Sequence, residues 1–93
     1  MQYGQRLQQL AETINKTNNA LPGVPIVELA GDRRVLIENH KGVIEYGSEQ
    51  ISVKVKYGSL CICGRNMELA RMTGDQLVIT GIIESVTIRR RGI

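Results

Sequence analysis

Two hydrophobic periods divide the chain. Over residues 3–16, apolar side chains recur at Tyr3, Leu7, Leu10, Ala11 and Ile14, the spacing of one helical face, while Gln2, Gln5, Gln8, Gln9 and Glu12 lie off that stripe. An amphipathic helix is predicted there. Asn18, Asn19, Pro22, Gly23 and Pro25 then end helical structure, because proline lacks the N–H donor and biases its predecessor towards extended backbone. A helix this short is marginal alone in water, so Leu7, Leu10 and Ile14 are expected to dock, either on their own domain or on a partner.

From Ile26 onward the helical period disappears. Short extended runs separated by glycine-containing breaks take over, at 26–30, 33–38, 43–46, 51–56, 59–63, 66–72, 76–80 and 83–88. The segments ending at Gly47, Gly64 and Gly81 align with a period of 17, and the one ending at Gly31 precedes them by 16. Each unit reads as strand, glycine, strand, so each of these glycines is expected just after a strand. In 51–56, Ile51, Val53 and Val55 alternate with Ser52, Lys54 and Lys56, as half-buried antiparallel strands do. The prediction is a mainly all-β domain, an antiparallel meander of about eight short strands forming a small sandwich or roll behind an N-terminal helix. The alternative is a short β-solenoid with one coil per 17-residue period.

Within this pattern the stretch 35–47 reads as two strands joined by a polar turn, with Asn39, His40, Lys41 and Gly42 supplying the residues that turns tolerate. A hairpin is expected there. Residues 1–20 are then the helix and the start of its linker, and 21–93 the β domain.

Composition narrows the rest. With 93 residues, no Trp and no Phe, the chain can build one small core from Val, Ile, Leu and Met. A net charge of +3 is well short of the concentrated excess of a nucleic-acid binder, and aromatic residues for base stacking are nearly absent. No run approaches a membrane span and no secretory leader is visible, so a cytoplasmic protein is expected. Cys61 and Cys63, two apart on one strand, are expected to be reduced.

Candidate chemistry is sparse. His40 is the single histidine and has no visible acid or nucleophile beside it, so its ring is expected to bond local backbone rather than act as a general base. Cys61 and Cys63 share one face of their strand. With His40 they could ligate a soft metal, but one C-x-C lacks the second cysteine pair of a zinc site, and packing as small hydrophobes is the simpler reading. Arg89, Arg90 and Arg91 read as a solvated basic end, able to meet an acidic partner or an anionic membrane surface. The terminal run 83–88 carries little edge protection, and Thr87 is the position at which a proline would remove a ladder donor.

Val27-Glu28-Leu29-Ala30-Gly31, the stretch Val35 to Ile44 with its Glu38-Asn39-His40-Lys41-Gly42 turn, the stretch Lys56 to Leu69 and the stretch Ile79 to Val86 together resemble the YabP/YqfC family of sporulation proteins, nearest its YqfC branch. The resemblance covers about residues 25–88. Its most specific parts are the turn at Glu38, Asn39, His40 and Gly42 and the Gly64, Asn66, Leu69 element. It implies a small protein made during endospore formation, with no catalytic residue, reaction or cofactor to carry over. The expected role is a non-enzymatic assembly or interaction module, a homo-oligomer that meets another sporulation protein, peripheral to a membrane if that partner sits there. A metal- or ligand-binding regulator using Cys61, Cys63 and His40 is the alternative. Cys61, Cys63 and the run Arg89 to Arg91 depart from the branch pattern, so any role they have belongs to this chain.

Overall fold

A computed structural model describes residues 22–91, so the predicted helix over 3–16, with Leu7, Leu10 and Ile14, lies outside the described residues. The described chain forms β1 (Ile26–Ala30), β2 (Arg34–Glu38), β3 (Val43–Tyr46), β4 (Gln50–Val55), β5 (Gly58–Met72) and β6 (Gln76–Arg90). They make a single sheet in the order β1-β2-β6-β5-β4-β3, antiparallel throughout. All-β antiparallel structure is what the alternation predicts. The count is six rather than about eight, because 59–63 and 66–72 fuse into β5, and 76–80 and 83–88 fuse into β6.

The two 15-residue strands are the spine on which the sheet bends. Residues 58–63 of β5 lie between β4 and β6, whereas 68–72 pair only with β6. Residues 76–80 of β6 lie between β2 and β5, whereas the stretch from Ile82 to Arg90 pairs with β5 alone. The result is two layers joined at a corner. One layer holds β1, β2, the start of β6 and the end of β5, and the other holds β3, β4, the start of β5 and the end of β6. Val35, Ile37, Leu77 and Ile79 from the first and Ile51, Val53, Val55, Leu60 and Ile62 from the second are all buried in one cluster, closed at the corner by Met67 and Ile83. Burial of this apolar surface is the main source of stability in a chain with no large aromatic core.

Glycine makes the corner possible. A Cβ at Gly64 would sit 1.9 Å from the Ile82 carbonyl oxygen, and one at Gly81, where φ is +139°, would sit 2.6 Å from that of Asn66. Register shifts between Cys63 and Gly64 and between Arg65 and Glu68 re-aim β5 there, with Asn66 at φ 52°. The two hairpin turns cap the bend. Gly81 and Ile83 donate to the Arg33 and Asp32 carbonyls (3.2 and 2.7 Å), and Gly64 and Met67 donate to those of Glu49 and Ser48 (3.0 and 2.9 Å).

The 17-residue period thus has a physical meaning different from the expected one. In the first two units Gly31 and Gly47 follow β1 and β3, and the unit closes as a hairpin. In the last two units the same glycine position falls inside a strand and the hairpin is opened into a bend. Coils of a solenoid do not occur among the described residues.

The connection at 39–42 also differs from the sequence reading. β2 and β3 do not pair: β2 lies between β1 and β6, while β3 is the edge beyond β4 in the other layer. The stretch 35–47 is therefore a crossing between layers, not a hairpin. Asn39 at φ 64° and Gly42 at φ 123° turn the chain across the sheet instead of back along it.

Candidate functional site

The crossing is built around His40, the buried polar residue of the described core at 6% exposure. Its Nδ1 accepts from the Gly42 N–H at 2.9 Å, which leaves the proton on Nε2, and Nε2 donates to the Thr73 carbonyl at 2.8 Å. Thr73 belongs to the β5–β6 turn. That turn is itself held by Thr73 N–H to the Gln76 carbonyl at 2.8 Å, Gln76 N–H to Thr73 Oγ1 at 3.0 Å and Thr73 Oγ1 to Asp75 Oδ1 at 3.1 Å.

Neighbouring residues complete the junction. Asn39 donates its backbone N–H to the Asp75 carbonyl at 2.6 Å and its side-chain amide to the Val24 carbonyl at 2.9 Å. Lys41 N–H reaches the Lys54 carbonyl at 2.7 Å, and Lys54 N–H reaches that of Gly42 at 2.8 Å. Glu38 ends β2 opposite Gln76. Residues 38–42 therefore tie together the entry of the domain, both layers and the spine's turn. Both ring nitrogens of His40 are engaged with backbone, so neither is free to take a proton from a bound molecule.

Cys61 and Cys63 do come together. They lie on the face of β5 opposite Leu60 and Ile62, Cys61 buried and Cys63 half-buried, with Sγ atoms 3.7 Å apart. Around them are small polar partners, Ser52 and Thr87 beside Cys61, Gln50 and Ser85 beside Cys63. Both thiols are free. The Cys61 thiol, and after it burial, raise the Cys63 thiol above the ordinary thiol range, against smaller opposing effects of Ser85 and Arg89. His40 is not added to this pair. Among the described residues no group of three or more His, Cys, Asp and Glu is placed to hold a metal ion.

Arg33 and the basic end of β6 lie apart. Arg33 lies at the corner, where its carbonyl meets Gly81, whereas Arg89, Arg90 and Arg91 are at the far end of β6, nine residues or about 30 Å of extended chain away. Arg90 lies 5.8 Å over the Tyr57 ring. Thr87 faces Cys61 across the ladder. Since Arg91 donates to the Tyr57 carbonyl at 2.9 Å, hydrogen-bonded pairs alternate back along β6, and the N–H of Thr87 is turned to β5. A proline at Thr87 would break the spine rather than the free edge.

Compared with known proteins, the chain matches the YabP family model over residues 24–92. The chain belongs to the YabP family. Among its relatives is an uncharacterized protein, YqfC, of Bacillus subtilis, 23% identical over an alignment covering 89% of this chain and 94% of the relative. No solved structure matches. The matched region of the YabP family contains every described strand, including the crossing at 38–42. No helix among the described residues is long and apolar enough to cross a membrane.

Thr73 and Asp75, the partners of the crossing, were not visible as such in the sequence. Thr73-Gly74-Asp75 reads there as an independent tight turn, and nothing local announces a bond from His40 across 33 residues.

Proposed function

We propose that the protein is a non-enzymatic sporulation protein, a small β-rich module that works by assembly or interaction during endospore formation. Membership of the YabP family, with the resemblance to its sporulation proteins, supports the process. The observation that carries the mechanism is the junction at 38–42: the most distinctive polar residues are spent on the protein's own backbone, with His40 bonded at both ring nitrogens. What remains for partners is surface. The expected partner is another sporulation protein, and the expected location is the cytoplasm, at a membrane face if that partner is anchored there.

One observation favours a second reading, a metal-binding regulator. The Cys61 and Cys63 thiols lie 3.7 Å apart, close enough to share a soft ion, although His40 is committed elsewhere. Metal content of the purified protein separates the two readings.

The test of the first is affinity purification of the tagged protein from sporulating cells of its own host. Retention of a defined sporulation protein, lost from a variant of the binding surface, is the expected result. Recovery with no retained partner, together with turnover of a substrate, would overturn it.

A further inference from the structure

We infer that two copies of the chain join edge to edge through the second half of β6, antiparallel across a two-fold axis at Thr87, extending one layer of each into a continuous sheet. This deepens the assembly reading and rests on it. The first observation is a row of backbone groups with no partner among the described residues. Ser85, Thr87 and Arg89 face β5, so the N–H and C=O groups of Val86, Ile88 and Arg90 point away from it. Closer to the corner the same side of β6 is covered, since Gly81 and Ile83 donate to the β1–β2 turn. Beyond Glu84 the cover stops. No proline interrupts this edge, and Ile88 is 62% exposed, so its protection is confined to the charges at its two ends, Glu84 and Arg89–Arg90.

The second observation is self-complementarity. Because hydrogen-bonded pairs in the new ladder must join outward-facing residues, only a few registers are allowed. With Thr87 opposite Thr87 of the second copy, Val86 pairs with Ile88 twice on the core face, and Ser85 lies opposite Arg89 on the other. Glu84, next to Ser85, then meets the basic end of its neighbour. In the monomer Glu84 is 58% exposed on its side chain, with a 3.9 Å contact to Arg65, whose side chain is 64% exposed. Moving the register two residues towards the C-terminus sets Val86 against Arg90 and takes Glu84 past the charges. Parallel pairing would stack the arginines of the two copies. Charge and apolar matching therefore select a second copy in the antiparallel register.

The register is read by a single-site cross-link. Opposed Thr87 residues would form a non-hydrogen-bonded pair, with Cα atoms about 4.5 Å apart, inside disulfide range. In a Cys61→Ala, Cys63→Ala background, Thr87→Cys should give a covalent dimer on mild oxidation, whereas Ser85→Cys and Arg89→Cys should not. Sedimentation of the unmodified full chain supplies the second measurement. Mass should rise from one chain to two across the micromolar range, remain at one chain in Ile88→Pro, and show dimerisation weakened about tenfold in Glu84→Lys from loss of two exposed charge contacts. A monomer at all concentrations, or cross-linking equal at the three cysteine positions, would overturn the inference. Retention of a different protein from sporulating cells by such a monomer would leave the assembly reading standing without it.

Discussion

His40 shows how one residue can look chemical in the sequence and be architectural in the fold. Removing its buried ring leaves the Gly42 N–H and the Thr73 carbonyl without partners at a half-buried junction. His40→Ala should therefore cost about 2–4 kcal/mol, read as a lower urea midpoint with an unchanged slope. The expectation that the ring bonds local backbone follows from its turn neighbours, but the bond to Thr73 depends on tertiary structure that no local pattern encodes. Cys63 carries a second consequence at this scale. Its folded thiol is raised above the unfolded value, so the native state holds the proton more tightly. The stability linked to that proton is complete below the unfolded thiol value, about 8.5, and is lost as pH rises through the folded value. Between neutral pH and pH 10, wild type should lose more stability than Cys63→Ser, with thermal melting as the readout.

Among the elements, the long hairpin of β5 and β6 departs most from its sequence signature. Alternation marks its halves as strands, and glycine marks their junctions. A pattern of strand, glycine, strand is the same whether the glycine closes a hairpin or bends a continuous strand. What decides is the space around it. A Cβ at Gly31 meets nothing within 4 Å, while one at Gly64 runs into the Ile82 carbonyl. Gly31→Ala, at φ 55°, should thus cost only about 1 kcal/mol of left-handed strain, whereas Gly64→Ala and Gly81→Ala should cost several-fold more or prevent folding. Chemical denaturation of the three variants compares them directly. The crossing at 39–42 differs from the expected hairpin for a related reason. Turn residues announce a change of direction, and only the partner strands determine whether the chain returns to the same layer.

For the whole molecule, the fold turns its polar motif inward and leaves the second half of β6 open at its edge, in addition to the terminal strands β1 and β3. The alternating burial of β2 and β4 made the two-sided character of the sheet legible, since Val35 and Ile37, like Ile51, Val53 and Val55, face the core at period two. The open edge of β6 is legible in the sequence only as a run, 83–88, with no proline and the single carboxylate Glu84. Which amides lie on it follows from register, through the pairing of Tyr57 with Arg91. Amide hydrogen exchange along β6, followed residue by residue by NMR, tests this account most directly. At low concentration Ser85, Thr87 and Arg89 should be protected while Val86 and Ile88 exchange freely, and protection should spread to Val86 and Ile88 as concentration rises. Equal protection of all five amides at every concentration, or the opposite alternation, would contradict a bent sheet left open at this edge.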